Sequence, residues 1–182
     1  MEIVSLPKTA INLLADIDRS EQVDYAYRYV DGELERYLVD WSVAWEADGT
    51  GPDSVSGVIE FLRPILEEGG ILLGAFDHDD VEGLAVVVPE FELATAWLAL
   101  LHVTRRSRRR GVGRALWKAA EKAAIAAGAS SMYVSSIRSG PTVDFYLGQG
   151  CRLAEDPHPE LYEREPDDIH LVREFWGWSQ PQ

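Results

Sequence analysis

The most constraining feature of the sequence is a junction. A near-continuous apolar run at residues 94–103 passes into an arginine-rich segment, and Gly111-Val112-Gly113 then opens an alanine-rich stretch. An apolar run of this kind predicts a strand covered on both faces, near the middle of a sheet. Downstream, Val112, Leu116, Ala119, Ala120, Ala123 and Ala127 share one helical face, and Gly128 suits the position just past the helix end. A buried strand feeding a glycine-opened helix places the chain among mixed α/β folds.

The loop between them has an unusual charge. Of the 17 bases, six lie in one ten-residue window: Arg105, Arg106, Arg108, Arg109, Arg110 and Arg114. The formal net charge is −14, so without these six cations the remainder carries −20. An acidic body with one compact cationic spot argues against nucleic acid or an anionic membrane as partner. It suggests a localised anionic ligand. The best apolar run is about half the ~20 residues that a membrane-spanning helix needs. The N-terminus lacks a signal-peptide pattern. Cys151 is the single cysteine, so no intrachain disulfide forms. A soluble, cytoplasmic protein of 182 residues, long enough for one domain, is expected.

Other elements follow from pattern. Residues 1–6 predict a strand and 9–15 a short helix. Residues 21–45 carry both helical spacing and alternation; Asp31-Gly32 between aromatic flanks favours a hairpin. Val55, Ile59, Leu62, Ile65 and Leu66 predict a helix closed by Gly69-Gly70, with Pro64 implying a kink. Strands are expected at 71–76 and 82–88, around a turn at Asp77-His78-Asp79-Asp80, and again at 132–137, 151–153 and 168–175. Pro141 suits the start of a short helix ending near Leu147. The segment 154–168, with seven acids, one arginine and three prolines, is expected as a long loop.

The start of a helix leaves backbone N–H groups unpaired and carries partial positive charge. Glycines there let a phosphate approach the backbone, and arginines add donors. The window therefore predicts a pyrophosphate site. No lysine follows Gly113, so it is not a P-loop; Leu116 replaces the third glycine of a dinucleotide fingerprint. What remains is Arg108-Arg109-Arg110-Gly111-Val112-Gly113. Downstream stands Ser139-Gly140-Pro141-Thr142-Val143-Asp144-Phe145-Tyr146, followed by Gly150-Cys151. Together these resemble the GCN5-related N-acetyltransferase (GNAT) family: R-x-x-G-x-G opening a helix, then N-x-x-A-x-x-F-Y-x-x-x-G-F. Ser139, Thr142 and Cys151 depart from the second pattern. The resemblance is best over about 71–175 and poor over 1–70, where the family varies.

That resemblance implies a single α/β (α+β) acetyltransferase domain over 1–182, with a mixed, largely antiparallel central sheet flanked by helices on both faces. It implies acetyl-coenzyme A as co-substrate and no metal; the histidines at 78, 102, 158 and 170 have no metal spacing. Implied coenzyme contacts are Leu101, His102, Val103, Arg108, Arg109, Arg110, Gly111, Val112, Gly113, Arg114, Ser139 and Tyr146. An acceptor amine would attack the thioester directly, and Tyr146 would give a proton to the leaving sulfur. No base stands at Leu101, Ala99 or Trp97, which on strict alternation share a face with Val103; His102 is the candidate base or water-relay member, although alternation points it to the opposite face, where a structural histidine is the other reading. The acidic segment 154–168 would recruit a small polar or cationic amine. A non-catalytic acyl-coenzyme A sensor remains the alternative. Relatives are often dimers, and Trp176 and Trp178 could serve an interface or simply pack.

Overall fold

The computed structural model describes residues 1–46, 49 and 51–175, so Trp176 and Trp178 lie outside the described residues. Among the described residues, nine strands and four α-helices follow in the order β1 (Glu2–Leu6), β2 (Glu21–Val30), β3 (Glu33–Val43), α1 (Val55–Glu67), β4 (Ile71–Asp77), β5 (Asp80–Glu92), β6 (Thr95–Val103), α2 (Val112–Ala126), β7 (Ser131–Ser136), α3 (Gly140–Gly148), β8 (Arg152–Leu153), α4 (Pro159–Arg164) and β9 (Ile169–Glu174). A 3-10 helix, Lys8–Asp16, follows β1.

Seven strands form one sheet in the order β1-β4-β5-β6-β7-β9-β8. Every neighbouring pair is antiparallel except β6 and β7, which run parallel because α2 connects them as a crossover. The apolar run at 94–103 is thus the middle strand, as its composition requires. Its neighbours are apolar for the same reason. Leu73, Ala85 and Val87 face α2 and α3, while Leu72, Leu84 and Val86 face α1 and the N-terminal 3-10 helix. Period-two alternation between two buried faces leaves no polar position.

Asp31 (φ 48°) and Gly32 (φ 92°) are both left-handed, the turn that matches strand twist, and residues 21–43 fold as the hairpin. This hairpin stands apart from the main sheet and docks on α3. Tyr25 and Tyr27 donate their hydroxyls to Asp144 at 2.6 and 2.8 Å. The Tyr27 amide donates to the Arg138 carbonyl at 2.9 Å, and Ala26 bridges to Ser139. Ser54 caps α1 by accepting from the Gly57 amide at 3.0 Å, and Pro64 falls in the last turn of that helix.

The segment 154–168 differs from the expected loop. It contains α4, whose Leu161 is buried against Trp97 and Tyr133. His158 caps α4 through Nδ1 and packs on Phe91, and Tyr133 bonds His170 at 2.6 Å. One apolar residue in an acidic stretch gave no period to detect, but it anchors the segment to the sheet.

Asp144 ties the hairpin to α3 through two phenols. Asp144→Ala is expected to lower unfolding free energy by about 1 kcal/mol, given its exposure. Chemical denaturation checks the value, and protease nicking within residues 21–43 should rise in parallel.

Candidate active site

The site begins with an irregularity in β6. Leu100 pairs with Val86 while Leu98 pairs with Val87, so Ala99 is an extra residue, a β-bulge. The bulge shifts the alternation of the strand by one position. Leu98, Leu101 and Val103 therefore face α2, whereas Leu100 faces α1. The expected shared face of Leu101, Ala99 and Trp97 is corrected accordingly: Ala99 and Trp97 lie with the opposite cluster. Pairing of β6 with β7 covers only Thr95–Ser131, Ala96–Met132 and Trp97–Tyr133. Beyond Trp97 the two strands have no paired residues, and an opening lies between residues 98–103 and 134–136.

At the end of β6 the chain turns through Arg105–Ser107 into α2. Arg109 (φ 61°) and Gly111 (φ 86°) are left-handed and curl the backbone just before the helix. Gly111 is the N-cap and offers no side-chain cap; the first helical bond runs from the Ala115 amide to its carbonyl. The amides of Gly111, Val112, Gly113 and Arg114 are thus free for an external acceptor. A Cβ on Gly111 would meet nothing within 4 Å; one on Gly113 would lie 3.3 Å from the Phe145 ring and 3.6 Å from Val103. Gly111 is demanded by backbone angle, and Gly113 by proximity to Phe145.

The six arginines do not act alike. Arg106 pairs with Glu82 at 3.0 Å and Asp80 at 3.5 Å. Arg105 donates to Ser20 Oγ at 3.3 Å. Arg108 folds back and donates to the carbonyls of Val103, Ser20 and Arg19 at 3.2, 3.2 and 2.9 Å, with Glu21 at 3.5 Å. Its guanidinium clamps residues 19–21 to the end of β6 instead of facing the cradle as expected. Among the described residues, Arg109, Arg110 and Arg114 have no acidic partner.

Tyr146 is 6 % exposed and packs in the cluster of Leu101 and Val103, with its ring edge-on to Trp117 at 5.8 Å and Phe145 at 5.1 Å. Burial pushes its phenol above the ordinary value, with Cys151 and Asp168 adding to the shift, so it stays protonated. Cys151 is a buried thiol that burial raises to about 12. Ser139 is buried before α3, its Oγ 3.1 Å from Thr142 Oγ1. His102 projects to the other face of β6, edge-on to Trp45 at 5.3 Å. Burial, with Arg19 and Arg108 nearby, lowers it to about 3. An imidazole so hard to protonate is a weak proton acceptor, and the geometry does not favour His102 as the base.

A cleft of about 370 Å³ lies near the end of β7, lined by Arg19, Trp41, Glu46, Asp53, Arg138, Ser139, Asp167 and Asp168, together with residues 42–44 and Ile137. Asp53 pairs with Arg19 at 3.3 Å, and Asp167 with Arg138 at 3.5 Å. Asp168 instead accepts from Ser135 Oγ at 2.9 Å. Of the seven acids in 154–168, only Asp167 and Asp168 reach this cleft. Among the described residues no cluster of His, Cys, Asp and Glu could hold a metal ion, and no helix is long and apolar enough to cross a membrane.

A family model described as Acetyltransferase (GNAT) family matches residues 26–150. The chain belongs to this family. A search of curated proteins finds no match. Solved structures share the fold at low identity. Nourseothricin acetyltransferase is 19% identical, covering 94% of this chain and 95% of that one, with TM-score 0.69. Aminoglycoside 6'-N-acetyltransferase complexed with coenzyme A is 18% identical over 70% and 83%, with TM-score 0.55. A GNAT family acetyltransferase from Elizabethkingia anophelis with acetyl-CoA bound is 19% identical over 64% and 82%, with TM-score 0.52.

In this GNAT chain the structure gathers Leu101, Val103, Val112, Phe145 and Tyr146 around one cluster, with Gly113 against Phe145. His102 lies apart on the opposite face. The cleft residues Arg19, Trp41, Glu46, Asp53 and Asp168 carried no sequence signal as a group, because they come from four separate segments. Arg108→Ala is expected to cost about 2 kcal/mol of stability through its lost backbone bonds. Arg110→Ala should leave the thermal melt unchanged, which calorimetry of the two variants would check.

Proposed function

We propose that the protein transfers an acetyl group from acetyl-coenzyme A to a primary amine of a small polar or cationic molecule by direct attack. The observation that carries this is the loss of pairing between β6 and β7 beyond Trp97, with the free amides of α2 following the end of β6 and Tyr146 in the same cluster as Leu101 and Val103. The residues present fit the coenzyme. Amides of Gly111, Val112, Gly113 and Arg114, with Arg109 and Arg110, suit a pyrophosphate. The unpaired edge at Leu101, His102 and Val103 suits an amide-bearing arm that adds like a strand. Ser139, already facing Thr142, is left for a polar contact with that arm.

Bound acetyl-coenzyme A supplies an activated acyl carbon and a thiol leaving group. The rest falls to the chain. A backbone N–H near Leu101 would stabilise negative charge developing on the carbonyl oxygen. Tyr146, held protonated by its burial, would donate a proton to the departing sulfur. The cleft carries four carboxylates against two guanidinium groups, which favours a cationic acceptor. Two structural neighbours bear the names of small-molecule antibiotic acetyltransferases, which supports an acceptor of that size.

Release of free thiol from acetyl-coenzyme A, measured across a panel of primary amines, tests the proposal. Amine-dependent release is expected, and Tyr146→Phe should lower kcat by roughly 10²-fold. Coenzyme A binding without thiol release on any amine would identify a sensor instead.

A further inference from the structure

We propose that Asp168 accepts the proton of the attacking amine, and that the cleft before it seats a cationic amine. The inference rests on the transferase reading above. Its basis is placement. β9 pairs antiparallel with β7, with Ile169 opposite Ser136. Asp168 therefore sits just beyond the last pair, beside the end of β7 where the opening lies. It shares the cleft wall with Ser139, which immediately precedes the helix carrying Tyr146.

The carboxylate is held and yet left unused. Ser135 Oγ donates to Oδ2 at 2.9 Å, which orients the group and leaves Oδ1 for another donor. Two other acids of the cleft are paired with cations: Asp53 with Arg19 and Asp167 with Arg138. Among the described residues Asp168 has no cationic partner. The groups facing it are Glu165 and Asp167 from its own segment, Asp53 from the turn before α1, Glu46 after β3, Tyr146 from α3, and the cations Arg19 and Arg138 across the cleft.

This surrounding sets its basicity. Burial raises the Asp168 carboxyl to about 6; the Ser135 hydrogen bond opposes the shift, and Glu165, Asp167 and Asp53 add to it. The group stays mostly ionised at neutral pH, yet is roughly 100-fold more basic than an exposed carboxylate. An ammonium in the cleft loses one proton: its N–H bond breaks, an O–H bond forms at Oδ1, and the electron pair stays on nitrogen. That pair forms the C–N bond to the acetyl carbon as the C–S bond breaks and its electrons leave on sulfur. Tyr146 protonates the sulfur, and the second proton shed by nitrogen restores the phenol. Asp168 returns the first proton to water, so one proton is released per turnover.

The test uses the full chain with acetyl-coenzyme A and three probe amines: spermidine, L-lysine and kanamycin. For any that the wild type acetylates, activity should fall with decreasing pH around an apparent pKa near 6. Asp168→Asn keeps an acceptor for Ser135, and should lower kcat/KM by roughly 10²–10³-fold and abolish that acid limb. Ser135→Ala removes the bond that holds the carboxylate ionised, so the acid limb should move to higher pH. Carbon-13 titration of the free wild-type protein should show an aspartate carboxyl with a midpoint near 6 that Asp168→Asn removes. An unchanged acid limb in Asp168→Asn, a rise in KM with kcat intact, or no carboxyl titrating between pH 5 and 7 would each overturn the base while leaving the transferase standing. No thiol release from the wild type with any of the three amines would overturn the transferase reading, and this inference with it.

Discussion

The Ala99 bulge in β6 is the constraint on which the rest of the structure depends. A regular strand would pair with β7 along its length and close the middle of the sheet. One extra residue ends that pairing at Trp97 and reverses which side chains face α2. Leu101 and Val103 then join Val112 and Leu116 in the core, while His102 turns towards Trp45. The unsatisfied backbone edges left by the divergence need a partner. An extended, amide-bearing ligand can provide one, and an apolar cluster packs on each face of the sheet there.

The charge distribution becomes intelligible around that opening. The cationic window divides its labour. Arg105, Arg106 and Arg108 fasten the N-terminal segment and β5 to the end of β6, and Arg109, Arg110 and Arg114 remain beside the uncapped helix. On the other side lies the acidic cleft. An anionic coenzyme and a cationic amine would thus approach the same opening from oppositely charged surfaces. The His158, His170 and Tyr133 contacts belong to neither; they fasten α4 to the sheet.

Much of the fold was legible in the sequence. The central strand, the glycine-opened helix, the Asp31-Gly32 hairpin and the Pro141 helix each follow from local pattern. Local pattern is reliable there because period, turn angle and capping act over a few residues. The uncapped start of α2 was legible for the same reason, being one continuous segment. The bulge was not: Leu98, Ala99, Leu100 and Leu101 are all apolar, and no alternation marks the extra residue. α4 also escaped, since a single buried leucine sets no period.

The sequence by itself determined the family and singled out the candidate cradle and Tyr146, because each lies within a short motif whose backbone geometry is local. Only the tertiary structure decided which arginines are free, that His102 packs on Trp45, and that Asp168 meets Ser135 at the end of β7. Those facts depend on contacts between segments far apart in the chain: Arg108 with residues 19–21, His102 with Trp45, and the start of β9 with the end of β7. Pairing of distant strands is set by the burial of the whole sheet, and no single window of residues records it.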